Sequence, residues 1–85
     1  MSYTVLLESR VRKTLERLPA EIHGRILRKL EALQESPRPV GVEKLTGPEG
    51  LYRVRVGEWR IVYAIRDRAL VVIVIRIGHR REVYR

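Results

Sequence analysis

A chain of 85 residues without cysteine is expected to be one domain, residues 1–85, and excludes a disulfide scaffold or thiolate metal site. Eighteen Lys+Arg against ten Asp+Glu leave a net charge of +8, which points to a polyanionic partner. No apolar run approaches the roughly 18 residues that span a bilayer, and MSYTVLLESR is not ordered as a signal peptide, so a cytoplasmic protein with no membrane association is expected.

Residues 3–7, YTVLL, read as a short first strand. Glu8-Ser9 reads as a helix start with Ser9 as N-cap. Val11, Leu15 and Leu18 recur at i, i+4 and i+7, which predicts a short amphipathic helix. Pro19 interrupts that stripe and is tolerated in the first turn of a second helix. Ile22, Ile26, Leu30 and Leu33, with Leu27 beside them, form that helix's apolar stripe through Glu35. Arg12, Lys13, Arg25, Arg28 and Lys29 take the opposite faces. The pair predicts an αα-hairpin.

Ser36-Pro37-Arg38-Pro39 stops the helix, and residues 36–50 read as a loop in which Val42 to Leu45 is expected to pack on the core and Lys44 to add to the cationic side. LYRVRVGEWRIVY follows. It predicts a tight β-hairpin about Gly57-Glu58, with Gly57 supplying the positive φ of a type II′ turn. A two-residue loop sets Val56 opposite Trp59, Arg55 opposite Arg60 and Arg53 opposite Val62. Alternation then places Arg53, Arg55 and Arg60 on one face, and Tyr52, Trp59 and Tyr63 on the other, in the core. Like charges opposite one another destabilise a sheet, so three clustered arginines imply use on an anion. Asp67-Arg68 predicts a second tight turn. Residues 69–77 read as a central strand covered on both faces. Gly78 ends it and a basic tail closes the chain. The order β-α-α-β-β-β predicts an α+β fold, with the N-terminal helical hairpin packed on one face of a small, mostly antiparallel twisted sheet.

The element order, KLTGPEGLYRVRVGEWRIVYAI, the apolar strand and the ending GHRREVYR resemble the RelE/ParE superfamily of type II toxin–antitoxin toxins, most strongly over residues 44–84. The short helical hairpin and the retained basic and tyrosine positions are more similar to the RelE branch. The resemblance implies a ribosome-dependent endoribonuclease, an mRNA interferase that cuts mRNA in the A site of the 70S ribosome and so inhibits translation. It implies 2′-OH attack on the scissile phosphate with no metal and no cofactor. The family's catalytic positions fall on Arg53, Arg55, Arg60, Arg80 and Tyr84, with Arg81 a second candidate for the fourth role. The first two are often Lys in the family and are Arg here. Lys44, Arg81 and Arg85 are implied RNA or rRNA contacts. A cognate RelB-like antitoxin is the implied partner, with operator DNA bound only by the toxin–antitoxin complex.

The chemistry suits these residue types. Guanidinium groups can hold the equatorial oxygens of a phosphorane by bidentate hydrogen bonds. Arginine cannot serve as an ordinary general base, so proton transfer falls to other groups. Tyr84 can take the 2′-OH proton as a phenolate that neighbouring arginines favour, or it can stack on a base. His79 is a candidate acid or base by its imidazole. Glu58 and Glu82 read as solvated charges, His23 as packing or surface, and no metal motif is present. The alternatives are a ParE-type toxin, which shares the fold and inhibits DNA gyrase without the arginine–tyrosine set, and a basic RNA-binding module without turnover.

Overall fold

The computed structural model describes residues 2–83. Its elements are β1 (Thr4–Leu7), α1 (Ser9–Glu16), α2 (Ala20–Glu35), β2 (Glu43–Lys44), β3 (Leu51–Val56), β4 (Trp59–Arg66), β5 (Val71–His79) and α3 (Arg80–Val83). One sheet of five strands runs in the order β1-β5-β4-β3-β2. All pairs are antiparallel except β1 with β5. The expected α+β architecture is observed. The two-residue strand β2 and the short helix α3 are additions to it.

The helical pair forms for the reasons the periodicity supplies. Val11 and Leu15 of α1, and Ile26, Leu30 and Leu33 of α2, are buried against Val54, Ile61, Tyr63, Val72 and Val74 of the sheet. Leu33 and Ile26 are fully enclosed; each such side chain stabilises the fold by about 1.5–3 kcal/mol. The helix start differs from expectation by one residue. Glu8, with φ −63° and ψ 151°, is the N-cap, and Ser9 is already helical. No side chain caps that end. The Glu8 amide instead donates to the Val74 carbonyl at 3.4 Å, so docking of β1 on β5 sets where the helix begins. Pro19 occupies the N-cap of α2, where its missing N–H costs nothing.

The hairpin register is the one the turn predicts. Val56 pairs with Trp59, Arg55 with Arg60 and Arg53 with Val62. Gly57 has φ +60° and Glu58 does not share the positive φ, as a type II′ turn requires.

Three expectations about the last strands need correction. The central strand is β4, whose residues 61–65 are all buried, whereas β5 buries Val72 and Val74 and leaves Ile73 and Ile75 half-buried on the open face. The turn before β5 spans residues 67–70, with Leu70 at φ 54° and its amide on the Asp67 carbonyl at 3.2 Å. β5 therefore starts at Val71, and it runs through Gly78 to His79 instead of stopping. A register shift also lies between Val62 and Tyr63: Val62 pairs with Arg76 but Tyr63 with Val74, so Ile75 is an extra residue. Such a bulge breaks alternation. Val72 and Val74 face the helices, and strict alternation would bury Arg76 beside them. The bulge turns Arg76 to the open face and returns Ile77 to the core.

Candidate nucleic-acid interface

The open face carries its arginines in two rows across the strands. Arg55 and Arg60 form one directly opposed pair. Arg53, Val62 and Arg76 form the next row, and β2 extends it with Glu43 opposite Arg53. Side chains directly opposed in this way start about 4.5–5.5 Å apart at Cβ. The three arginines expected to share a face do share it, and Arg76 joins them.

Each arginine is held differently. Arg60 is buried, and its Nη1 donates to the carbonyls of Gly57 and Trp59 at 3.2 and 3.1 Å. Its cross-strand partner is Gly78, which has no side chain to compete for that space. The turn that positions the hairpin thus also anchors this guanidinium. Arg53 is partly buried and meets Glu43, with Nε and Nη2 each 3.1 Å from Oε1. Arg55 is exposed and makes no ion pair among the described residues. A groove of about 470 Å³ runs along the second row, lined by the apolar Leu45, Leu51, Val62 and Ile75, by Arg10, Arg53 and Arg76, and by the carboxylate of Glu8. Such cations can grip a backbone while apolar side chains receive a base.

The remaining expected site residues divide. Arg80 begins α3 and ties it to the hairpin turn: its amide donates to the Glu58 carbonyl at 2.7 Å and its Nε lies 3.1 Å from Glu58 Oε1. Glu58, expected to be simply solvated, is therefore this tether. Arg81 is exposed, its amide 3.4 Å from His79 Nδ1. His79 pairs with Trp59, and the rings meet edge-on at 5.7 Å. Trp59 packs against the helix-side core, so His79 shares that face, opposite the one that carries Arg53, Arg55 and Arg60. Lys44 pairs with Tyr52, also on the core side, so β2 places Glu43 rather than Lys44 beside Arg53. Tyr84 and Arg85 lie outside the described residues.

Sequence reasoning missed Arg76, Glu43 and Arg10. Arg76 was hidden in an apolar run, and its face depends on the bulge. Glu43 belongs to a strand too short to show a period.

The geometry has counterparts among known proteins. Residues 5–84 match the family model described as the ParE toxin of the type II toxin–antitoxin system parDE. The chain belongs to this toxin family. Its relatives place it in the RelE branch. It is 30% identical to toxin RelG of Mycobacterium tuberculosis over 86 residues, covering 100% of this chain and 99% of that protein. It is 32% identical to the mRNA interferase toxin RelE of Escherichia coli K12 over 88 residues, covering 99% and 92%. The toxin of the archaeal RelE–RelB complex from Pyrococcus horikoshii superimposes with a TM-score of 0.84 at 30% identity, over 94% of this chain and 97% of that one.

Proposed function

We propose that this RelE-branch toxin is an endoribonuclease that cuts mRNA in the ribosomal A site and stops translation, and that a RelB-type antitoxin neutralises it. The observation that carries the reading is the opposed pair Arg55 and Arg60 on an open sheet face, beside Arg53 and Arg76, in a chain that matches an mRNA interferase over its length. Two guanidinium groups directly opposite one another cost a sheet stability. A scissile phosphate held between them would offset that repulsion.

In the proposed reaction the ribose 2′-oxygen attacks the adjacent phosphorus in line. The P–O5′ bond breaks, leaving a 2′,3′-cyclic phosphate and a 5′-hydroxyl. Arg60, fixed by two carbonyls, is preorganised toward the phosphorane, and preorganised donors cost no reorganisation at the moment of reaction. Arg55 and Arg53 hold non-bridging oxygens and the flanking backbone. Arg80 approaches the same end of the hairpin through Glu58. The arginines stay charged throughout, so the proton of the 2′-OH goes to another group; Tyr84, as a phenolate, is the proposed acceptor, and water protonates the departing 5′-oxygen. The antitoxin follows from the RelE–RelB complexes among the structural relatives. Operator DNA is expected to engage the toxin–antitoxin pair and not the toxin alone.

The test is a translating-ribosome reaction with a defined mRNA, read by primer extension, with Arg60→Ala and a ribosome-free control. Cuts confined to the A-site codon, absent without ribosomes and lost in the variant, are expected. Intact mRNA at high concentration of folded protein refutes the reading. The ParE description of the matching family model makes gyrase supercoiling the next assay in that event.

A further inference from the structure

The outer edge of β3 is only partly covered. β2 pairs with Arg53 and Tyr52, and residues 54–56 have no strand on that side. In an antiparallel ladder closed by a two-residue turn, the pair flanking the turn exchanges both hydrogen bonds, and the next pair points its main chain outward. Here Val56 and Trp59 flank the turn, so the next pair is Arg55 and Arg60 and the Arg55 N–H faces the uncovered edge.

A cleft of about 350 Å³ lies against that edge, lined by Lys29 of α2 together with Gly41, Glu43, Arg55 and Arg60. Lys29 is half-buried and makes no ion pair among the described residues. One helical turn before it, Arg25 lays its guanidinium on the hairpin turn, 3.1–3.2 Å from where a Cβ on Gly57 would sit. The carboxylate in the wall, Glu43, is committed to Arg53 at 3.1 Å. Lys29 and Arg55, which make no ion pair among the described residues, therefore meet one carboxylate that is already paired. Arg55 and Arg60 belong both to this cleft and to the open sheet face, so the two cationic surfaces are continuous around the edge of β3.

We infer that this cleft is a second backbone-binding step, in which Lys29 and the Arg55 N–H receive a phosphate of the RNA strand as it leaves the open face. The inference rests on the RNA reading above and extends it to residues on α2. Glu43 limits the affinity of the step, because it opposes an incoming phosphate and withholds Arg53 from it.

The test measures fluorescence anisotropy of a labelled 12-nucleotide single-stranded RNA as a function of salt, with no ribosome present. Lys29→Ala should weaken binding about three- to tenfold at low salt and reduce the slope of log K against log salt by about 0.7, the loss of one phosphate contact on a single strand. Lys13→Ala removes the same charge from α1, away from the cleft, and should leave the slope unchanged. Glu43→Gln should tighten binding and steepen the slope. Alanine suits a helix interior, so Lys29→Ala is expected to melt as wild type does. Equal effects of Lys29→Ala and Lys13→Ala would reduce the cleft to general charge and overturn the inference. So would unchanged RNA binding by Lys29→Ala with weakened capture of an acidic antitoxin, which would assign the cleft to a protein. A-site cleavage is read separately, so a protein that cuts mRNA while Lys29→Ala binds RNA normally refutes this step alone.

Discussion

The two ends of β4 use arginine in opposite ways. Beyond Arg66, Asp67 gathers Arg38, with Nη2–Oδ2 at 2.9 Å and Nη1–Oδ1 at 3.1 Å, and the Tyr3 hydroxyl at 2.7 Å. Arg38 Nε donates to the Tyr52 hydroxyl at 3.2 Å while the guanidinium lies 5.3 Å from that ring's centroid. Tyr52 stacks on Tyr63 at 6.0 Å, and the Tyr63 hydroxyl donates to the Pro37 carbonyl at 2.7 Å. Arg38 and Asp67 neutralise one another there, and the cluster joins the loop after α2 to the start of β1, to β3 and to the end of β4. At the Trp59 end, Arg55 stands opposite Arg60, and Arg55 makes no ion pair among the described residues. Arg60 Nη1 donates to the carbonyls of Gly57 and Trp59. Arg38, matched by a carboxylate, ties loops together, whereas two opposed guanidinium groups repel one another and cost the sheet stability.

The sharpest way to break this comparison is Arg55→Ala. It should cut A-site cleavage by about 10²-fold or more, as loss of one transition-state donor does, while the melting temperature stays level or rises because an opposed like charge is gone. A large fall in melting temperature instead would make Arg55 structural, and the contrast between the two ends would collapse. At the other end, Tyr63→Phe should cost about 1–2 kcal/mol in urea unfolding, because it leaves the Pro37 carbonyl without its buried donor. Cleavage well below the melting temperature should be unaffected.

The smallest effect sharpens the comparison through pH. The Arg38 guanidinium, and then the Tyr3 hydroxyl, hold the Asp67 carboxyl down at about 2. An unfolded-chain aspartate titrates near about 3.9. The stabilisation is therefore fully present above about pH 4 and is lost as pH falls through about 2. Melting temperature should drop more steeply across that window for wild type than for Asp67→Asn, and added salt should narrow the difference because the pair is exposed. Parallel acid limbs would mean that Asp67 contributes nothing as an ion. Burial, and then the neighbouring Tyr52, push the Tyr63 hydroxyl up to about 12, so it remains a donor to Pro37 across the neutral range.

Local physics made much of this legible. A two-residue turn with Gly57 in a left-handed conformation admits one register, and that register alone puts Arg53, Arg55 and Arg60 on one face. The helical stripes were equally local, since Val11 with Leu15, and Ile26 with Leu30 and Leu33, repeat at the helix period. Contacts across long stretches of chain were not legible. Arg38 and Asp67 are 29 residues apart, and nothing in either's neighbourhood names the other. Glu43 and Lys44 are neighbours of opposite charge, and only the pairing of β2 decides which one meets Arg53.

By itself, then, the sequence determined the helices, the hairpin and the arginine face, because each follows from residues within a few positions of one another. Tertiary structure decided the rest. The parallel pairing of β1 with β5 joins the two ends of the chain and cannot be closed by a local turn. The bulge opposite Val62 exists only once β4 and β5 are docked, and it alone sends Arg76 out of the core and onto the face where a phosphate backbone can reach it.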